Sequence, residues 1–297
     1  MRVAISGASG LIGSALVSSL ESEGHAVRRL VRRAARPGSD EIFFDPDAGR
    51  IEAEKLEGLC AVVHLAGENI AAGRWTAERK RRIRDSRVSG SRLIAETLAG
   101  LENRPSVLLN ASAIGYYGDR GAEPLDESSP PGEGFLAATC EEWEQAAASA
   151  ERIGLRVVRL RIGVVLSSKG GALKRMLPPF RLGLGGRLGN GRQFVSWIAL
   201  CDVVRAIIFL LSRDDISGAV NGVAPAPVRN AEFTRILARI LGRPAVLPVP
   251  AAALRLALGE MSSMLLASGR VLPQRLLRAG FSFERADLES ALRSELK

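Results

Sequence analysis

The stretch that most constrains this chain is SGASGLIGSAL, residues 6–16, where three glycines separate a β-branched run from an apolar-periodic one. Arg2–Ser6 reads as a strand ending at Gly7. Leu11 to Glu23 carries apolar residues at 11, 12, 16, 17 and 20, which is helical spacing, and Gly24 supplies the stop. Glycine has a specific use in that context. Gly7 lets the chain turn sharply off the strand, Gly10 clears the backbone for a pyrophosphate, and Gly13 lets the helix lie close to the sheet. The helix amino terminus then offers free N–H groups and partial positive charge to phosphates. Gly7, Ser9, Gly10, Leu11, Ile12 and Gly13 are therefore candidate dinucleotide contacts.

The rest of the first half repeats the strand–helix alternation. A second strand is expected at Ala26–Val31, with short apolar runs at Ile42–Phe44, Ala61–Leu65, Val107–Asn110 and Val157–Leu166. Long helical segments, about Thr76–Leu98 and Leu136–Arg152, separate the last three runs. Such βαβ units imply an α/β fold with a doubly wound parallel sheet covered on both faces. This dinucleotide-binding domain is placed at 1–167, with 194–222 returning to it. Residues 168–297 are expected to form a smaller, mostly helical substrate or partner domain, including a carboxy-terminal subdomain at about 245–292. Residues 167–193, rich in Gly, Pro and basic side chains, read as irregular exposed chain.

Composition removes several function classes. Cys60, Cys140 and Cys201 are odd in number and lack a CxxC, which favours a reduced, cytoplasmic protein over a disulfide scaffold. His25 and His64 are the only histidines, too few and too far apart for a metal centre or a Ser–His–Asp hydrolase, and both read as structural. The opening MRVAISGASG lacks an apolar signal region. The apolar stretch 246–267 is broken by Arg255, Glu260 and prolines, so no membrane span is expected. Net charge is +9, and Arg supplies 36 of the 41 basic residues. The cluster RWTAERKRRIRDSR, residues 74–87, has no interleaved aromatics and reads as a solvated helix face rather than a nucleic-acid patch.

The end of the second strand bears on which dinucleotide fits. An NAD site places Asp or Glu there for the ribose 2′-hydroxyl. Here Val31, Arg32 and Arg33 follow instead, with no acid nearby in sequence, and a guanidinium fork suits a 2′-phosphate. NADP(H) is expected over NAD(H).

With SGASGLIG, VVHLAGENI, SRVSGSRLIAETL and NASAIGYYG in order, the chain resembles the extended short-chain dehydrogenase/reductases, the NAD(P)-dependent epimerase/dehydratase-like proteins with a Rossmann-like fold. GFLAATCEEWEQAA, RLGLGGRLGNGRQFVSWI and NGVAPAPVRNAEFTRIL are similar to an atypical branch, once labelled cell-division-inhibitor-like, with an extra carboxy-terminal domain. The resemblance implies that Leu65, Ala66 and Gly67 lie beside the cofactor's ribose and adenine side, that Arg92 is a further contact, and that Ser112 borders the nicotinamide. It also implies that Asp202 braces the two domains, and hydride transfer on a small carbonyl or hydroxyl substrate, including epimerisation through a transient ketone.

The family's acid/base is a Tyr with a Lys four residues later, the Lys lowering the tyrosine's pKa. That pair is absent: Tyr116 is followed by Arg120 and Tyr117 by Gly121, and GFLAATCEEWE holds neither Tyr nor Lys. Three readings stay open. Tyr116 or Tyr117, the only tyrosines, acts from the loop after the Val107–Asn110 strand, helped by Ser112 and Arg120, or simply packs there. Cys140, Glu141 or Glu142 takes the proton instead, Cys140 being either a low-pKa thiol at a helix start or a core residue. Otherwise the protein binds NADPH without turnover, as a redox sensor. Lys174 and Arg187, in the Gly-rich stretch, suit an anionic substrate, or are solvated loop charges.

Overall fold

The alternation of buried positions along the strands shows why this chain forms a two-faced sheet. In the computed structural model, which describes residues 1–36 and 38–296, Val3 and Ile5 of β1 (Arg2–Ser6) enter one apolar cluster and Ala4 the other. In β5 (Ala61–His64), β6 (Val107–Ala113) and β8 (Arg156–Ile162) the same period-two rule sends Val63, Leu109 and Val158 to the first cluster, and Val62, Leu108 and Val157 to the second. The first cluster is roofed by α1 (Leu11–Ser22) and α6 (Leu200–Leu211), the second by α2 (Ala77–Gly100) and α4 (Ala148–Arg152).

The remaining strands of this sheet are β2 (Ala26–Val31), β3 (Glu41–Asp45), β4 (Arg50–Ile51) and β12 (Gly218–Gly222). The order is β12-β8-β6-β5-β1-β2-β3-β4, parallel except for the β3–β4 pair. From β1 the chain runs outward through β2 and β3, then crosses back to β5 on the other side. The winding reverses between β1 and β5, and ligands of doubly wound sheets bind in that crevice, at the strands' carboxyl ends.

Three local differences from the sequence expectation have physical causes. The single strand expected at 157–166 is two, because Gly163 turns the chain out of the main sheet. A Cβ there would sit 2.8 Å from the Ser196 carbonyl oxygen, so only glycine allows β9 (Val164–Leu166) to pair with β11 (Trp197–Ala199). The helix expected at 136–152 breaks into α3 (Phe135–Gln145) and α4, with Ala147 relaxed to φ −86°, ψ −1° between them. The irregular stretch expected at 167–193 contains a helix, α5 (Gly171–Arg181). Leu173, Leu177 and Phe180 bury one face of it, with Pro178 and Pro179 in its last turn.

Beyond the sheet come β7 (Pro124–Leu125), β10 (Phe194–Val195), β13 (Val228–Arg229), α7 (Asn230–Leu241), α8 (Ala251–Leu258), α9 (Ser263–Leu266), β14 (Arg270–Val271), α10 (Gln274–Arg278) and α11 (Leu288–Leu296). The stretch expected as the carboxy-terminal subdomain, about 245–292, packs against the earlier part of the chain. β14 pairs with β7, Leu276 and Phe281 join the sheet's first cluster, and α11 packs with α7. Asp202, fully buried at the start of α6, accepts the Glu284 and Arg285 amides at 2.8 and 2.9 Å, a brace between distant parts of the chain. Among the described residues no helix is long and apolar enough to cross a membrane.

Candidate active site

At the β1–α1 turn the glycines are dictated by space. Gly7 has φ +69°, and a Cβ on it would lie 2.8 Å from the Ala66 nitrogen; one on Gly13 would lie 2.1 Å from the Gly7 carbonyl oxygen. The two residues lock β1, β5 and α1 together at the reversal point. Gly10 is the N-cap in extended conformation, donating its N–H to Gly7 O at 2.9 Å. The amides of Leu11, Ile12 and Gly13 have no acceptor among the described residues, and the first turn carries no acidic side chain. Ser9 and Gly10 are exposed beside them, and Gly170 leans over the same helix end, its Cβ direction meeting Leu11 at 3.2 Å. This is a row of free donors at the positive end of a helix, a fit for a pyrophosphate.

Past β2 the two arginines behave differently. Arg33 is held bidentately by Glu41 of β3, eight residues on, which overturns the expectation of no acid nearby. That hydrogen-bonded pair, with the Arg36 amide, pulls the Glu41 carboxyl down to about 2. Arg32 is exposed and has no acidic partner among the described residues, and Val31 is half-buried in front of it.

On the other side of β1, the Ser6 hydroxyl accepts the Leu65 and Ala66 amides at 3.1 and 3.3 Å, which fixes the path of Leu65, Ala66 and Gly67. Gly67 rests on a helix arginine other than Arg92, the further cofactor contact implied by the resemblance. Arg92 is exposed and lines a shallow groove between α2 and the α3–α4 turn, with Glu96 and Arg152. The arginine against Gly67 is Arg87, with its Cζ 3.3 Å from the Cβ direction. It donates to Ile83 O and Glu68 O and lies over the Trp143 ring. Residues 87 and 92 fall on different faces of α2, which spacing along the helix would have revealed.

At the carboxyl ends of β6 and β8 lies a buried polar network. Ser112 donates to Glu144 Oε1 at 2.7 Å, and Arg161 closes a bidentate pair on the same carboxylate at 2.8 and 2.9 Å. Arg161 also donates to the Tyr117 hydroxyl at 2.9 Å, and that hydroxyl donates to Asn221 Oδ1 at 2.8 Å. Burial works against the guanidinium's charge, yet Glu144 outweighs it and raises the Arg161 pKa. The guanidinium lies 3.5 Å from the centre of the Tyr116 ring, a cation–π contact, and the two tyrosine rings meet edge to face at 5.3 Å.

This arrangement sorts the proton-transfer candidates. Tyr117 is fully buried with its hydroxyl engaged on both sides, and burial pushes it up to about 12, against the pull of Arg161. It is a packing and hydrogen-bonding residue. Cys140 lies in the middle of α3, not at its start, and burial followed by the Glu144 charge pushes its thiol up to about 12. Cys140 is thus a buried core residue in mid-helix and not a thiol at a helix start. Glu142 is paired with Arg84, Glu141 is exposed, and Arg120 is turned to Glu123. Tyr116 is half-buried, and its hydroxyl has no hydrogen-bond partner among the described residues. Glu144, absent from the sequence candidates, stands one turn after Cys140, so these two hold the four-residue spacing of the missing Tyr–Lys pair. Lys174 is exposed on α5. Arg187 lies apart from it, beside Ala231, Thr234 and Val246 in a cavity of about 340 Å³.

Comparison with known proteins agrees with this geometry. Residues 3–221 match the NAD dependent epimerase/dehydratase family, and residues 249–295 match a domain of unknown function, DUF1731. An epimerase family protein of Mycobacterium bovis is 45% identical over 291 residues, 98% of this chain and 96% of its own. The human epimerase family protein SDR39U1 is 36% identical over 297 residues, 99% of each chain. A crystal structure of human SDR39U1 with NADPH superposes with a TM-score of 0.89 at 34% identity, covering 99% of both chains. A nucleoside-diphosphate sugar epimerase of Corynebacterium glutamicum gives 0.82 at 37% identity, over 100% of this chain and 58% of that one.

Proposed function

The chain belongs to the NAD dependent epimerase/dehydratase family, and from that premise we propose that it is an NADP(H)-dependent oxidoreductase or epimerase-like enzyme. Its substrate would be a small molecule presenting a carbonyl or hydroxyl group. The observation that carries the reading is the glycine turn, where no Cβ fits and the helix amides have no acceptor. The NADPH in the human SDR39U1 crystal supports the same cofactor here.

When bound, the cofactor supplies hydride transfer. The chain's own residues bind, orient and handle the proton. The amides of Leu11, Ile12 and Gly13, with Ser9 and Gly10, would take the pyrophosphate. Arg32 would pair with the 2′-phosphate, Val31 would flank the adenine, and Leu65, Ala66 and Gly67 would line the ribose side. Tyr116 would exchange a proton between its hydroxyl and the substrate oxygen, held in place by Arg161 stacked on its ring. Glu144 and Ser112 keep that arginine oriented. The free thiols of Cys60, Cys140 and Cys201 support a reducing, cytoplasmic setting.

Fluorescence titration with NADPH and NADH tests the cofactor. NADPH should bind more tightly, and Arg32→Ala should remove about ten- to hundredfold of that preference, the worth of a charge-assisted contact. Equal affinity for both nucleotides in the wild-type protein would sink the Arg32 argument.

A second reading, an NADPH-binding sensor without turnover, is favoured by one observation. At the spacing of the usual Tyr–Lys pair stand a buried thiol and a carboxylate already committed to Arg161. Incubation with NADP⁺ and a panel of alcohols separates the two. Turnover lost in Tyr116→Phe supports the enzyme, whereas tight binding with no turnover supports the sensor.

A further inference from the structure

The loop that carries Tyr116 has little internal support. It runs as a single 3₁₀ turn, Ile114–Tyr117, into Gly118 at φ +64° and Gly121 at φ +59°, so unconstrained it would sample many conformations. Up to Tyr117 it is held by the first part of the chain, through the Gly132 N–H on the Tyr116 carbonyl and the buried Tyr117 side chain, and beyond Gly118 the carboxy-terminal segment holds it. Ser268 is buried and uses each of its polar groups. Its N–H donates to Asp119 Oδ1 at 3.1 Å, and its carbonyl accepts the Arg120 N–H at 2.9 Å. Its hydroxyl donates to Gly121 O and accepts the Phe194 N–H at 2.9 Å. Most of these partners lie directly after the tyrosine pair.

The following residues continue the grip. The Ser196 hydroxyl donates to Gly269 O at 2.7 Å and accepts the Val271 N–H at 2.9 Å, and Val271 packs with Tyr117 and Leu125. Asn221, which receives the Tyr117 hydroxyl, donates to Leu272 O at 2.9 Å. Across the loop, Met261 packs with Trp75, Ile83, Phe135 and Leu136, and Glu260 pairs with Lys80 at 2.8 Å. Leu136 in turn lies 3.2 Å from the Cβ direction of Gly115, the residue before Tyr116.

We propose that residues 260–272, within the domain of unknown function, form a working part of the active site, and that Ser268 is the positioning residue that fixes the Tyr116 loop. The proposal rests on the reading of Tyr116 as the proton-handling group. It explains why a carboxy-terminal extension would be woven into the first domain: the loop's two glycines are held from outside instead of by a helix of their own.

Hydrogen exchange and cofactor fluorescence on the full-length protein test this. Ser268→Ala should speed amide exchange across residues 116–121 about tenfold while leaving the NADPH dissociation constant within about twofold. It should also change the emission of bound NADPH, because the wall beside the nicotinamide has loosened. Ser268→Thr, which keeps the hydroxyl, should restore both signals, a rescue that generic destabilisation would not give. Should Ser268→Ala fail to fold, Asp119→Ala, which removes the acceptor of the Ser268 N–H at an exposed position, probes the same clamp by the same exchange measurement. Unchanged exchange and emission in a folded clamp variant would overturn the proposal. Tyr116→Phe separates it from the reading beneath: retained turnover in that variant dismisses Tyr116, while the exchange result still judges Ser268.

Discussion

At the residue scale, His64 shows how a group that titrates near neutral pH is removed from the chemistry. The Ser6 hydroxyl accepts two backbone amides, so its own proton points to His64 Nδ1, 2.6 Å away. The imidazole proton is therefore on Nε2, which faces Gly90 without a partner; a Cβ on Gly90 would lie 2.9 Å from it. Burial, then the nearby Arg87 charge, pushes the His64 pKa down to about 3. Between that value and the ordinary 6.5 the unfolded chain binds a proton that the native one refuses. Stability from this residue is thus complete above pH 6.5 and declines as pH falls, by about 1.4 kcal/mol per unit. Urea unfolding at pH 7.5 and 5 should differ by about 2 kcal/mol on this account, and His64→Asn should flatten that slope. Glu41 offers a test of a different kind. Glu41→Gln releases Arg33 from its clamp, so NADPH should bind up to about fivefold more tightly, the worth of an exposed ion pair, with NADH unchanged. Loss of NADPH affinity instead would mean that the pair holds Arg33 in its useful position.

At the element scale, the ion pair between Glu144 of α3 and Arg161 of β8 ties together β6, β8 and the tyrosine loop. Glu144→Ala leaves a buried guanidinium unpaired and should cost about 3–5 kcal/mol in denaturant unfolding, with Glu144→Gln costing less. A loss under 1 kcal/mol would show that Arg161 finds another partner. The same pair marks where the sequence stops being legible. Elements whose signal is local could be read: the glycine turn, the period-two strands and the start of α2, where Thr76 caps the Arg79 amide. Contacts that depend on which elements become neighbours could not. Glu144 and Arg161 are 17 residues apart, and nothing local says that α3 will lean over β8. Glu41 reaches Arg33 only because β3 lies beside β2. Helix α5 was hidden for another reason, since its flanking glycines and internal prolines outweighed the helical spacing of Leu173, Leu177 and Phe180. Among the proton-transfer candidates, Tyr117 and Cys140 are buried whereas Tyr116 is half-buried and Glu141 exposed, a distinction of exposure that residue type alone does not carry.

At the scale of the whole molecule, the question is whether the family-defining first part can exist without the carboxy-terminal part. Strand pairing is no obstacle, because every strand of the large sheet lies before residue 223. The core is. Leu276 and Phe281 are buried in the cluster beneath α6, and Phe281 meets Phe209 and Phe283 edge to face at 5.3 and 4.8 Å. Removing them exposes an apolar helix face and leaves the Asp202 carboxylate buried without the Glu284 and Arg285 amides, a cost of several kcal/mol against a typical net stability of about 5–15. A chain ending at residue 248 should therefore lose its near-ultraviolet circular dichroism and its cooperative unfolding transition, while keeping much of its helical signal. The full-length Asp202→Asn variant isolates the polar share of that loss. It keeps the side-chain shape but weakens two charge-assisted hydrogen bonds, and should cost about 2–4 kcal/mol without altering NADPH affinity. A shortened chain that unfolds cooperatively and still binds NADPH would instead make the carboxy-terminal part a detachable cover.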